Sequence, residues 1–218
     1  MKKDLRFAFP AIVALFAGVN CAHGSPISYT IQIVADNDFA VFAGTDDNVI
    51  NLIYQNDVSW PDQIAAASSQ SFTLLPGETT FYLLGMGGGG EENISGTVNG
   101  VDITSIPVLM SSDLSSQLTG YDLDSVGAGT YNASLADVQA AFSDLTWGPP
   151  TLNTTDAVIE LAAPNGIGYD FASGTAHLFE FSASDVSGVP EPATWWLAMI
   201  AGGAIMLRRL RRTSSPSI

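Results

Sequence analysis

The chain has 218 residues, a formal net charge of −15 and a single cysteine. Its basic residues are Lys2, Lys3, Arg6, Arg208, Arg209, Arg211 and Arg212, so no Lys or Arg lies between Phe7 and Leu207. This uniform negative charge excludes nucleic acid and anionic lipid as partners of the central region, and it excludes Lys or Arg salt bridges inside it.

Met1 to Arg6 is a basic start, Phe7 to Val19 is apolar except for the break at Pro10, and Asn20 to Gly24 is short and polar. This order predicts a signal peptide over 1–24, with Ala22 and Gly24 as the small residues that signal peptidase reads and cleavage after Gly24. Cleavage after Ala22 is the alternative. Cys21 leaves with the peptide. The remainder then has no disulfide, cysteine metal site or thiol nucleophile, although it is exported to an oxidising compartment. Residues 25–183 form one domain's length. Residues 25–190 carry 20 of the 22 acidic residues, which must be solvated, hydrogen-bonded or cation-bound.

The domain reads as short β-branched and aromatic segments between turn residues. Tyr29 to Val34 alternates as a strand. Phe39 to Phe42 follows the turn Asp36-Asn37-Asp38, and Val49 to Tyr54 follows Gly44 to Asp47. Ser71 to Leu75 and Thr79 to Leu84 flank Pro76-Gly77-Glu78, which signals a hairpin. Gly87 to Gly90 reads as a flexible loop. Ile94 to Val98 and Val101 to Ile106 flank Asn99-Gly100, the strongest hairpin signal present. Val158 to Leu161 and Ala176 to Phe181 are the late strands. Helix is scarce: Ser134 and Asp137 form a capping box ahead of Leu135, Val138 and Phe142 at helical spacing, and Ser59-Trp60-Pro61-Asp62 can open one more turn. The expected fold is all-β, a β-sandwich or jelly roll with one or two short helices. A polar linker, 184–189, follows.

Catalytic signatures are lacking, and no catalytic residue is assigned. His177 is the only histidine after the signal peptide, and its place in an alternating strand predicts a solvent-facing side chain. Zinc hydrolysis needs more ligands than that. A glycosidase needs only two carboxylates, which any acidic domain supplies. Calcium is the one cofactor for which the sequence offers ligands: Asp36, Asp38, Asp46, Asp47, Asp122 and Asp124 sit on Asx-rich turns. The default role of such turns is local hydrogen bonding. Trp60, Trp147 and Tyr131 are the aromatic candidates for stacking on sugar rings, with core packing as their competing role.

Val189-Pro190-Glu191-Pro192 is followed by Ala193 to Leu207, which holds no charge, and then by Arg208, Arg209, Arg211 and Arg212. A helix over 193–207 spans roughly 22 Å, short of the ~30 Å hydrocarbon core. Snorkelling arginines at one end and Trp195 and Trp196 at the other can cover the deficit. With basic residues at both ends and none between, both termini are expected in the cytoplasm and the domain across the membrane. Residues 213–218 form the cytoplasmic tail. Motif, apolar segment and basic stop over 190–212 together resemble the PEP-CTERM sorting signal of Gram-negative bacteria. The resemblance implies export, transient anchoring in the inner membrane, processing at the motif by an exosortase, and delivery to the cell surface or exopolysaccharide matrix. It implies a structural or weak glycan-binding role there. The rival expectation is a secreted carbohydrate-active enzyme.

A second resemblance covers Ile27 to Ile106. Asp36-Asn37-Asp38, the strand to Gly44, Trp60, and Phe72-Thr73-Leu74-Leu75-Pro76-Gly77 together resemble galactose-binding-like jelly rolls. The glycine turn lacks the usual Asn partner and the next strand ends Gly85-Met86-Gly87, so no sugar site is carried over.

Overall fold

The computed structural model describes residues 28–59, 62–63, 69–90, 92–119, 131–154 and 165–187. The signal peptide with Ala22 and Gly24, Trp60, Asp122, Asp124, the strand expected over Val158 to Leu161, the sorting motif and the tail arginines lie outside them. Among the described residues, no helix is long and apolar enough to cross a membrane.

The strands are β1 (Ser28–Ala35), β2 (Asp38–Thr45), β3 (Asn48–Gln55), β4 (Ser69–Thr73), β5 (Thr80–Met86), β6 (Glu92–Val98), β7 (Val101–Asp102), β8 (Leu109–Ser111), β9 (Trp147–Gly148), β10 (Thr151–Asn153), β11 (Gly168–Phe171) and β12 (Ala176–Ser182). They make two antiparallel sheets. One runs β10-β11-β6-β1-β4, with β7 paired to β6; the other runs β3-β2-β5-β12-β8-β9. The chain is therefore a mainly β protein, consistent with the sandwich that its alternating segments predict.

Alternation decides which side chains fill the space between the sheets. Tyr29, Ile31 and Ile33 of β1, Phe72 of β4 and Tyr169 and Phe171 of β11 meet Phe39, Val41, Phe81, Leu83, Phe179 and Phe181 of the facing sheet. The rings of Phe81 and Phe181, cross-strand partners on β5 and β12, stack at 5.1 Å. The second sheet is buried on its other face too. Ala40, Phe42, Tyr82, Leu84, Met86, Ala176 and Leu178 pack beneath Leu114, Leu118, Tyr131, Val138 and Phe142. These come from the segment after β8 and from helix α1 (Leu135–Phe142). This double coverage explains why every residue of β5 is buried.

The structure corrects several local expectations. Pro76-Gly77-Glu78 is no hairpin, because β4 and β5 lie in different sheets. The turn is a corner between sheets, held by the Glu78 carboxylate, which accepts from Leu75 N at 2.6 Å and from the Asn51 side-chain amide. The strand expected over Val101 to Ile106 stops at Asp102. There the Asp102 carboxylate accepts from both Thr104 N and Thr104 Oγ1 and turns Ile103–Ser105 into a 3₁₀ turn. The Asn99-Gly100 hairpin forms, with φ of 52° and 77° and Val98 opposite Val101. Only half of the capping box forms: Ser134 Oγ accepts from Asp137 N, but the Asp137 carboxylate reaches out to Thr119 N at 2.8 Å. Edge strand β3 exposes Ile50 and Leu52. Two register shifts against β2, together with the Gln139 amide donating to Val49 O, blunt it against pairing with another strand.

Candidate functional site

The end of the sandwich where β2 begins gathers most of the buried polar groups. Asp38 opens β2 and is fully buried. Its carboxylate accepts from Phe39 N at 2.7 Å, Asn56 Nδ2 at 2.5 Å and Tyr131 N at 2.6 Å. No Lys or Arg is available to neutralise it, so desolvation dominates and pushes its pKa up to about 7. The three donors pull the other way, and Asp57 adds a smaller upward push.

Gln63 completes this knot from the helical turn after Ser59. Its amide oxygen accepts from Ala35 N at 3.1 Å and its nitrogen donates to Asn37 O at 2.9 Å. The Asn37 amide, oriented by its network, accepts from Gly88 N at 2.8 Å and donates to Asp36 at 2.5 Å. A Cβ at Gly88 would sit 1.5 Å from that amide, so any larger residue there would have to push the Asn37 side chain out of this network. The glycine segment expected to be a flexible loop is instead tied down. Gly87 N donates to Thr175 O at 2.9 Å and Gly90 N to Ser173 Oγ at 3.2 Å.

Beside this knot lies a cleft of about 470 Å³ lined by Gly90, Glu92, Leu152, Asn153, Asp170 and Ser173, among others. Register places its polar groups. Asp170 of β11 is paired with Asn93 and with Thr151, and Phe171 with Glu92. Glu92 is buried, and its carboxyl carbon would lie 2.9 Å from a Cβ at Gly87. Asp170 is half-buried at the sheet's outer face, and Leu152 is 54 % exposed on the edge strand. Because neighbouring residues on a strand point to opposite faces, Glu92 and Asp170 line one cleft from opposite sides of the sheet.

The sequence-predicted residues are scattered. Asp36 and Asp38 lie at one end of β2 and Asp46 and Asp47 in the turn at the other, roughly 20 Å away for a strand of that length. Asp38 is occupied by protein donors, and Asp46 accepts from Thr80 Oγ1 at 2.5 Å. Among the described residues, no group of three or more His, Cys, Asp or Glu side chains could hold a metal ion. Tyr131 is 4 % exposed, within the second core. Trp147 is half-buried against Tyr82 and Phe142, with ring centroids at 6.0 and 5.6 Å. Both rings take the packing role.

His177 is not solvent-facing, because its face of the sheet is covered. It is 8 % exposed, with Nδ1 2.8 Å from Ser111 O and Nε2 3.0 Å from Thr175 Oγ1. Burial pushes the pKa of the Tyr82 and Tyr169 hydroxyls up, aided in Tyr82 by Glu180 and in Tyr169 by Asp102.

Sequence reasoning misses the cleft. Its walls are β10 and β11, three and four residues long, which carry no alternation long enough to read. The chain matches no family model, no curated protein and no solved structure.

Proposed function

We propose that the chain is an exported, non-enzymatic protein of the cell surface or exopolysaccharide matrix, sorted by an exosortase, whose domain is structural and binds glycans weakly. The cleft of about 470 Å³ at β6, β10 and β11 carries the binding half of this reading. It is shallow and polar, with an amide (Asn153), hydroxyls (Thr154, Ser173) and carboxylates beside the apolar Leu152. That mixture suits a saccharide, which presents hydroxyls on its rim and C–H groups on its faces.

The charge pattern supports the export half. Signal peptidase and exosortase are the processing partners in this reading, and the inner membrane is a transient one. The jelly-roll connectivity, the signal peptide and the membrane-spanning tail belong to the same proposal, as does calcium bridging between surface carboxylates and an anionic matrix.

The rival reading, a glycosidase, draws on Glu92 and Asp170 in one cleft. Their placement on opposite sides of the sheet does not favour it, since the mechanism needs two carboxyl groups flanking one bond.

Reporter fusions test the export half. A fusion after Ile218 should act as cytoplasmic and one replacing the chain after Ser187 as periplasmic. A periplasmic full-length C-terminus would overturn the topology. Mass spectrometry of surface-extracted protein should find no peptide from 193–218. A glycan array probed with that protein tests the binding half, and silence across the array would leave the structural role alone.

A further inference from the structure

Resting on the glycan reading, we infer that the cleft between β6, β10 and β11 prefers saccharides carrying a free amine and turns away uronic-acid polymers. Among the described residues, the charged groups lining the cleft are the carboxylates of Glu92 and Asp170. With no Lys or Arg anywhere between residues 7 and 207, no cation of the domain can swing in from another element. A uronate entering this space would bring a further negative charge to a wall that has only negative charge to offer, and it would lose water without gaining a counter-ion.

A neutral sugar avoids that cost. It can donate hydroxyls to Asp170 and to the Asn153 and Thr154 side chains. An ammonium does more, because a charge-assisted hydrogen bond to carboxylate is roughly twice as strong as a neutral one. Register puts Asp170 on the same outer face as Thr151 and Asn153 of the edge strand, so its half-buried carboxylate meets such a group at the rim while the Asn153 side chain reaches the sugar's hydroxyls. Glu92, buried deeper, contributes field rather than contact.

The test uses the full chain in detergent with three oligosaccharides of equal length, made of glucosamine, N-acetylglucosamine and galacturonate. Titration calorimetry at physiological ionic strength should rank glucosamine about tenfold tighter than its acetylated form, with galacturonate not bound. Asp170→Asn should remove that tenfold advantage and leave the acetylated oligomer within about twofold. Asp144→Asn changes an exposed carboxylate outside the cleft and should alter neither.

Equal losses in the two variants would mean diffuse attraction to the acidic surface, and the inference fails. Galacturonate binding at least as tightly as glucosamine overturns the inference while sparing the glycan reading. Binding of none of the three overturns both.

Discussion

The Tyr131 backbone N–H donates to the Asp38 carboxylate at 2.6 Å, across 93 residues of chain. This bond ties the start of β2 to the segment that leads into α1, and so joins the second sheet to the layer that covers it. The same carboxylate holds Asn56 and the Phe39 N–H, so three donors depend on one buried group.

Asp38→Ala should therefore cost about 3 kcal/mol or more, since hydrogen bonds to a charged group contribute about 1.5–3 kcal/mol each and three buried donors would lose their acceptor. Asp38→Asn should cost less, about 1–3 kcal/mol, because one oxygen remains and the new NH₂ faces a donor. Urea denaturation measures both. A loss under about 1 kcal/mol for Asp38→Ala would show that water replaces the carboxylate without penalty.

Stability should fall as pH rises from about 4 to about 7. Asp38 titrates near 3.8 when exposed and at about 7 in the fold, so the folded state holds the proton more tightly across that window. Its favourable contribution is complete below the exposed value, declines as pH climbs through the folded value, and is flat above it. Glu180 acts in the same direction, raised first by burial and then by Asp46. Melting temperatures across this range should slope downward, and Asp38→Asn should flatten the slope. An unchanged slope in that variant would place the effect in general self-repulsion of the acidic domain.

Gly96→Ala should destabilise by about 3 kcal/mol or prevent folding. Gly96 has φ +140° in the middle of β6, and a Cβ there would lie 2.0 Å from Gln32 O on the paired strand β1. Gly148→Ala is the control, with nothing within 4 Å of its added methyl, and should change stability by less than about 1 kcal/mol. Equal effects at the two positions would contradict the close approach of β1 and β6.

Melting should rise with sodium chloride, because 20 carboxylates without Lys or Arg repel one another and salt screens them within about 8 Å at physiological strength. Calcium at matched ionic strength is the comparison. A specific site would add about 2.7 kcal/mol at a hundredfold excess over Kd. Because Asp36 and Asp38 are remote from Asp46 and Asp47, a site built on these four would use one end of β2 or the other, not both. A melting temperature that ignores sodium chloride would contradict the repulsion argument.

The period-two alternation of Tyr29 to Val34 and Ala176 to Phe181, the turn chemistry of Asn99-Gly100 and the Ser134 cap are local signals. They depend only on neighbours in sequence, which is why β1, β12, the β6–β7 hairpin and α1 are legible from the residues alone. Sheet membership is not legible there. Pro76-Gly77-Glu78 has the residues of a hairpin, yet whether its flanking strands pair or part company depends on which partners β1 and β12 offer them. Burial of His177 likewise depends on the facing sheet, whose Phe171 ring lies 5.9 Å from the imidazole, and burial of Tyr131 depends on its segment closing over the other face of β2 and β5. The candidate site follows the same division. The Asp-rich turns are visible as composition, but only folding shows that Asp38 serves the protein's own amides. Only folding brings the short strands β10 and β11 beside Glu92 to enclose a cleft, because the contacts that define it join residues that are distant in sequence.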